Sequence, residues 1–292
     1  MGRVETRIYR QKQRKAKWRR WLLGIAAVMV LAVLLWRGGQ AAFVTDYIGL
    51  PGPTPLESAF DRTVETREVT LNPETWYAIQ TGVFSTQEAA VQKADAYTQR
   101  GAPGTVVRQG EKWRVFIACY GTEEEAAAVR TRLESNQKVD TYLYAWECPE
   151  VRLRLSGMAG QLDAAEAGFT LLTTTAATLR DTAMELDAAQ LTNQEVMASA
   201  RALDDQISLW EDTVRSRFGK SVPALVEGIL TITGGWDARY AALVAAQDAT
   251  ALSAALKAQA MGLYDDICTW RTALKAQSKT DAKSVVRIRR GT

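Results

Sequence analysis

The 292-residue chain carries 36 Lys and Arg against 33 Asp and Glu, a formal net charge of +3, and contains no histidine. The missing histidine excludes Ser-His-Asp and Cys-His catalysis and the histidine-based zinc sites on which many hydrolases rely. The three cysteines, Cys119, Cys148 and Cys268, are widely spaced with no CxxC pair, so they define no disulfide framework and read as packed thiols.

The charge is unevenly placed. Residues 1–20 hold nine Lys and Arg against one acid, Glu5, and directly precede Trp21–Trp36, sixteen residues without a charge. That run is slightly shorter than the ~20 residues usual for a span. Trp18, Trp21 and Trp36 supply interfacial rings, and flanking arginines can snorkel, so it reads as a transmembrane helix. The basic side is expected in the cytoplasm and everything after Arg37 outside the cell. Arg37, directly after the apolar run, argues against a cleaved signal peptide. Topology explains the basic arm, so no nucleic-acid partner is expected.

Residues 37–75 include Pro51, Pro53 and Pro55 and show no sustained periodicity. They read as a flexible tether.

The next segment, 76–148, predicts strand, helix, two strands, helix, strand. The strands are Trp76–Phe84, Thr105–Gln109, Lys112–Cys119 and Thr141–Glu147, and the helices are Thr86–Gln99 and Thr122–Ser135. A blurred repeat supports this order. Residues 79–90 recur at 115–126, with Thr86, Glu88 and Ala90 falling on the identical Thr122, Glu124 and Ala126. Thr86 and Thr122 suit helix N-caps, and Glu88 and Glu124 suit the positive end of the helix dipole. The expected α+β unit is a four-stranded antiparallel sheet with both helices on one face.

From 157 to 278 the chain becomes Ala-rich and helical. Leu162, Ala165, Phe169, Leu172, Ala176, Leu179, Ala183 and Leu186 keep an unbroken 3-4 spacing, a coiled-coil-like seam. A second seam runs from Val196 to Val214. A third runs from Val222 to Leu243 and is interrupted at Gly234-Gly235, and a fourth runs from Leu252 to Leu274. Four such helices predict an all-α bundle. Residues 279–292 read as a basic, solvated tail.

The stretch Tyr77-Ala78-Ile79-Gln80-Thr81-Gly82-Val83-Phe84, followed by an Ala/Glu helix, resembles the opening of the SPOR domain. That opening reads approximately aromatic-x-V-Q-x-G-S-F. Arg114-Val115-Phe116-Ile117-Ala118-Cys119-Tyr120 is similar to its second half, R-V-x-x-G-P-F/Y. The resemblance implies a ribonucleoprotein-like βαββαβ fold. It also implies binding to septal peptidoglycan, with a preference for glycan strands stripped of their stem peptides. Two positions depart from the pattern: Ala118-Cys119 replaces Gly-Pro, and Val83 replaces a serine.

Alternation along the strands adds a chemical reading. With Ile79, Val115, Ile117 and Leu143 facing the helices, the opposite face carries Trp76, Gln80, Arg114, Phe116, Tyr142, Tyr144 and Trp146. Aromatic rings stack on the C–H faces of sugars, while amide and guanidinium groups bond hydroxyls. These residues, with Val83, are the candidate glycan-binding set. The alternative is that the bundle packs over this face and buries it.

The sequence therefore predicts a non-catalytic, single-pass envelope protein of division or sporulation that binds peptidoglycan glycan strands, with no cofactor and no metal. The alternative is a structural adaptor whose bundle binds an envelope or division protein. An envelope hydrolase without histidine would need paired carboxylates. The Asp and Glu residues here fall mainly on helical surfaces.

Overall fold

The computed structural model describes residues 63–280 and the two-residue strand Val286–Arg287. The expected basic segment, membrane helix and tether as far as residue 62 lie outside the described residues. Among the described residues, no helix is long and apolar enough to cross a membrane. In chain order the first elements are β1 (Val64–Leu71), β2 (Glu74–Phe84), α1 (Gln87–Thr98), β3 (Thr105–Gln109), β4 (Lys112–Tyr120), α2 (Glu123–Gln137), β5 (Tyr142–Cys148) and β6 (Val151–Met158). They are followed by α3 (Ala159–Asp187), α4 (Asn193–Phe218), α5 (Ala224–Thr233), α6 (Trp236–Val244), α7 (Ala249–Thr280) and β7 (Val286–Arg287).

The repeat becomes two strand-to-helix corners. Thr86 and Thr122 cap α1 and α2, each side-chain oxygen accepting from the backbone N–H three residues on at 3.3 Å. Between β3 and β4 the chain reverses at Gly110, whose φ of +61° is open to glycine at little cost. The resulting sheet has the order β3-β4-β2-β5, with every pair antiparallel. Register shifts at Gln80 in the β2–β4 pair keep Ile79, Val115 and Ile117 on the side of α1 and α2. There they pack with Ala90, Ala94, Tyr97 and Ala126.

The expected tether needs correction, because its last part is β1. Val64–Leu71 pairs antiparallel with β6 over eight residues, from Val64↔Met158 to Leu71↔Val151. The interval between the expected sheet and bundle is likewise a strand. In β6, Val151, Leu153 and Leu155 are buried while Arg152 and Arg154 are exposed, the two-residue period of a half-buried strand. The basic tail is also corrected, since α7 continues to Thr280 and Val286–Arg287 pairs parallel to β6. Arg67 of β1 ties this second sheet to α3 through Asp163 at 2.6 Å and Glu166 at 3.3 Å.

The helical seams are buried as their spacing requires. All eight predicted positions of α3 are in the core, as are Val196, Ala200, Leu203, Ile207, Trp210 and Val214 of α4. The third seam splits at Gly234-Gly235 into α5 and α6. At the α3–α4 crossing, Gly168 admits the Trp210 ring, whose Nε1–H donates to the Ala164 carbonyl at 2.8 Å. A Cβ on Gly168 would lie 2.6 Å from that ring and 3.0 Å from Ile229. Gly168→Ala should therefore destabilise the protein by about 1–3 kcal/mol in urea titration, despite alanine's helix preference of about 1 kcal/mol.

Candidate functional site

The outer face of the β3-β4-β2-β5 sheet divides into a covered half and an open half. Covering it is α7, which crosses β3, β4 and β5. Tyr264 is the contact that fixes the crossing. Its ring stacks on Trp76 with centroids 4.1 Å apart and planes within 5°, and meets Trp146 edge-on at 5.2 Å. Its hydroxyl proton is shared between the carbonyls of Trp146 at 2.9 Å and Glu74 at 3.0 Å. Burial pushes the Tyr264 phenol far above its ordinary range, so the group remains a donor through physiological pH. Arg271, less than two turns further on, donates to the Asn72 carbonyl at 2.9 Å.

Three of the predicted site residues are therefore core. Trp76, Phe116 and Trp146 are at most 1% exposed. Phe116 lies 5.1 Å from Trp146, and the Arg180 guanidinium of α3 stands 4.6 Å from the Trp76 ring. The expected open aromatic face is corrected here: these rings cannot stack on a sugar while α7 is docked. Leaving them in water would forgo roughly 2–3 kcal/mol for each side chain, which is reason enough for an amphipathic helix to cover them.

The remaining predicted residues gather at the other end of the face. Gln80 pairs in register with Tyr142 on one side and Phe116 on the other, and Val83 pairs with Arg114. Arg114 Nη1 donates to Gln80 Oε1 at 2.6 Å, and its guanidinium sits 4.4 Å from the centre of the Tyr144 ring. Gln80 is buried, Arg114 and Tyr144 are half-buried, and Tyr142 and Val83 are exposed. Arg114 Nε is buried with no partner. The cluster thus presents a fixed guanidinium, a stacked ring and a free ring, which can bond hydroxyls and receive an apolar sugar face. Among the described residues, no group of three Cys, Asp or Glu side chains could hold a metal ion.

The two departures from the expected motif fall on different sides of this division. Val83 borders the open half. Cys119 faces the core beneath α7, where burial pushes its thiol up to about 12. Residue-pattern reasoning missed Tyr264 and Arg271. Ala260, Tyr264 and Cys268 form a stripe at i, i+4 and i+8 beside the fourth seam, and that second apolar stripe was the available signal.

A four-stranded antiparallel sheet in this order, with two helices on one face, is a ribonucleoprotein-like βαββαβ domain. Residues 70–145 match the family model of the SPOR domain, so this part of the chain, about a quarter of it, is a SPOR domain. No curated protein and no solved structure matches the chain.

Truncating Tyr264→Ala should cost about 3–5 kcal/mol in urea unfolding, as for other large buried rings. Tyr264→Phe, losing only the hydroxyl, should cost about 1 kcal/mol. A pH effect is expected next to it. Burial and the neighbouring Asp266 push Asp265 up from 3.8 to about 6. The folded state holds that proton more tightly than the unfolded state does, so stability should fall as pH rises from about 4 to about 6. Asp265→Asn should flatten that part of the pH–stability curve.

Proposed function

We infer that this chain is a non-catalytic, membrane-anchored protein that binds peptidoglycan glycan strands through the open half of its SPOR sheet. The observation that carries this reading is the SPOR match over residues 70–145. The Gln80–Arg114–Tyr144 cluster, with Tyr142 beside it, supplies chemistry suited to a glycan. The anchor rests on the basic segment 1–20 and the apolar run 21–36, which would place the SPOR domain outside the cytoplasm. The site of action is the bacterial envelope, at the septum in division or sporulation.

A second reading is favoured by one observation: α7 closes half of the sheet face. On that reading the chain is an adaptor, and its helical region binds an envelope or division protein.

Full-length protein in detergent should be retained on amidase-treated sacculi and less on untreated ones. Arg114→Ala combined with Tyr142→Ala should weaken retention at least about tenfold, or about 1.4 kcal/mol. Equal retention of the double variant would remove the open half as the glycan site. Absence of retention altogether would leave the adaptor reading.

A further inference from the structure

Between the two contacts that fix α7 lies a pair of sulfurs. Cys268 is one turn past Tyr264 on the same stripe of α7 and just before Arg271. Opposite, Cys148 is the ladder partner of Glu74 and follows Trp146 by two residues, on the same face of β5. Glu74 and Trp146 are the residues whose carbonyls receive the Tyr264 hydroxyl, so this register brings the two cysteines together. Both are buried free thiols, 1% and 6% exposed, and they interact side chain to side chain.

Arg271 adds a chemical element. Only 4% exposed, it donates to the Asn72 carbonyl, its charge acts on Cys148, and its Nε has no partner. A buried guanidinium beside a thiol favours the thiolate. The Cys268 thiol, aided by Arg271, holds Cys148 below the usual thiol range against the opposing effect of burial. Cys119 has no such arrangement: burial dominates there, opposed by the charges of Arg180 and Lys257.

We propose that Cys148 and Cys268 are a disulfide-forming pair, closed by exchange with a thiol-exchanging disulfide, that fastens the SPOR sheet to α7. The Cys148 thiolate attacks one sulfur of the oxidant's disulfide. A mixed disulfide forms, and the other sulfur leaves as a thiolate that takes up the proton Cys148 gave up. Cys268 then attacks the Cys148 sulfur and its proton passes to the departing oxidant sulfur. Two protein thiols are oxidised, one external disulfide is reduced, and no other reactant is needed. Packing shields the pair, so the oxidant reaches Cys148 only as α7 loosens, the attack by Cys268 follows as α7 settles back against β5, and a bond once closed is shielded from reductant in the same way. This pairing holds whether or not the sheet binds glycan.

The test uses full-length protein in detergent, incubated with oxidised glutathione in urea just below the unfolding midpoint so that α7 opens transiently. The sample is then fully denatured, labelled with a maleimide and digested. The expected result is labelling of Cys119 alone and a peptide joining Cys148 to Cys268. Adding reductant under denaturing pre-treatment should lower the subsequent thermal midpoint of the oxidised protein by about 5–10 °C, since the bond closes a long loop. Cys268→Ala should show no such shift. Labelling of all three cysteines, or a bridge through Cys119, would overturn the proposal.

Discussion

The architecture depends on two antiparallel ladders that share one register. β1 runs into β2 and β5 runs into β6, and the pairing keeps the same register across both junctions: Leu71 faces Val151 and Glu74 faces Cys148, three residues on along each strand. The two sheets are therefore stretches of one long ribbon, interrupted where Pro73 and Pro149 remove backbone donors. A gap in a ladder leaves carbonyls without partners. Here α7 reaches one such carbonyl, with Arg271 on Asn72, and grips the ladder just beyond the gap, with Tyr264 on the carbonyls of Glu74 and Trp146. The break in the ribbon and the docking of the helix are a single arrangement.

That arrangement changes what the SPOR sheet can offer. An isolated sheet of this sequence would expose Trp76, Phe116 and Trp146 in one patch, and such a patch would be sticky as well as receptive. With α7 in place the rings form the centre of a core that runs on without interruption into the helical seams. The polar and aromatic residues at the far end of the face are left in reach of solvent. Folding has thus separated the aromatic set by role. The large rings bind the domain to its own helices, and Tyr142, Tyr144 and Arg114 stay at the open end of the face.

Much of this was legible in the chain itself. The Thr86 and Thr122 caps, the alternation in each strand and the 3-4 spacing of the seams are local signals, each generated by neighbours a few residues away. The faces of the sheet were legible for the same reason, because a side chain's face follows from its place in the strand. What escaped was non-local. The strand β1 pairs with a segment eighty or more residues on, and its exposed positions Thr66, Glu68 and Thr70 are polar, so it looks like solvated linker until β6 is set beside it. The covering of Trp76 by Tyr264 joins positions still further apart, and the seam spacing had already given α7 a buried face. A helix with two buried faces must lie between two layers.

The ribbon also has a mechanical consequence. Because β1 and β2 follow one another along a common register, tension entering ahead of Val64 and opposed near Tyr142 would act along the strands. The hydrogen bonds of β1 to β6 and of β2 to β5 would then be loaded in shear, sharing the force, instead of being peeled one at a time. On the proposed function, with the chain held ahead of Val64 and gripping a glycan near Tyr142, the load would run in that direction. The weak point under such a load is the interval at Pro73 and Pro149, and α7 is fastened there, by Arg271 to Asn72 and by Tyr264 to Glu74 and Trp146.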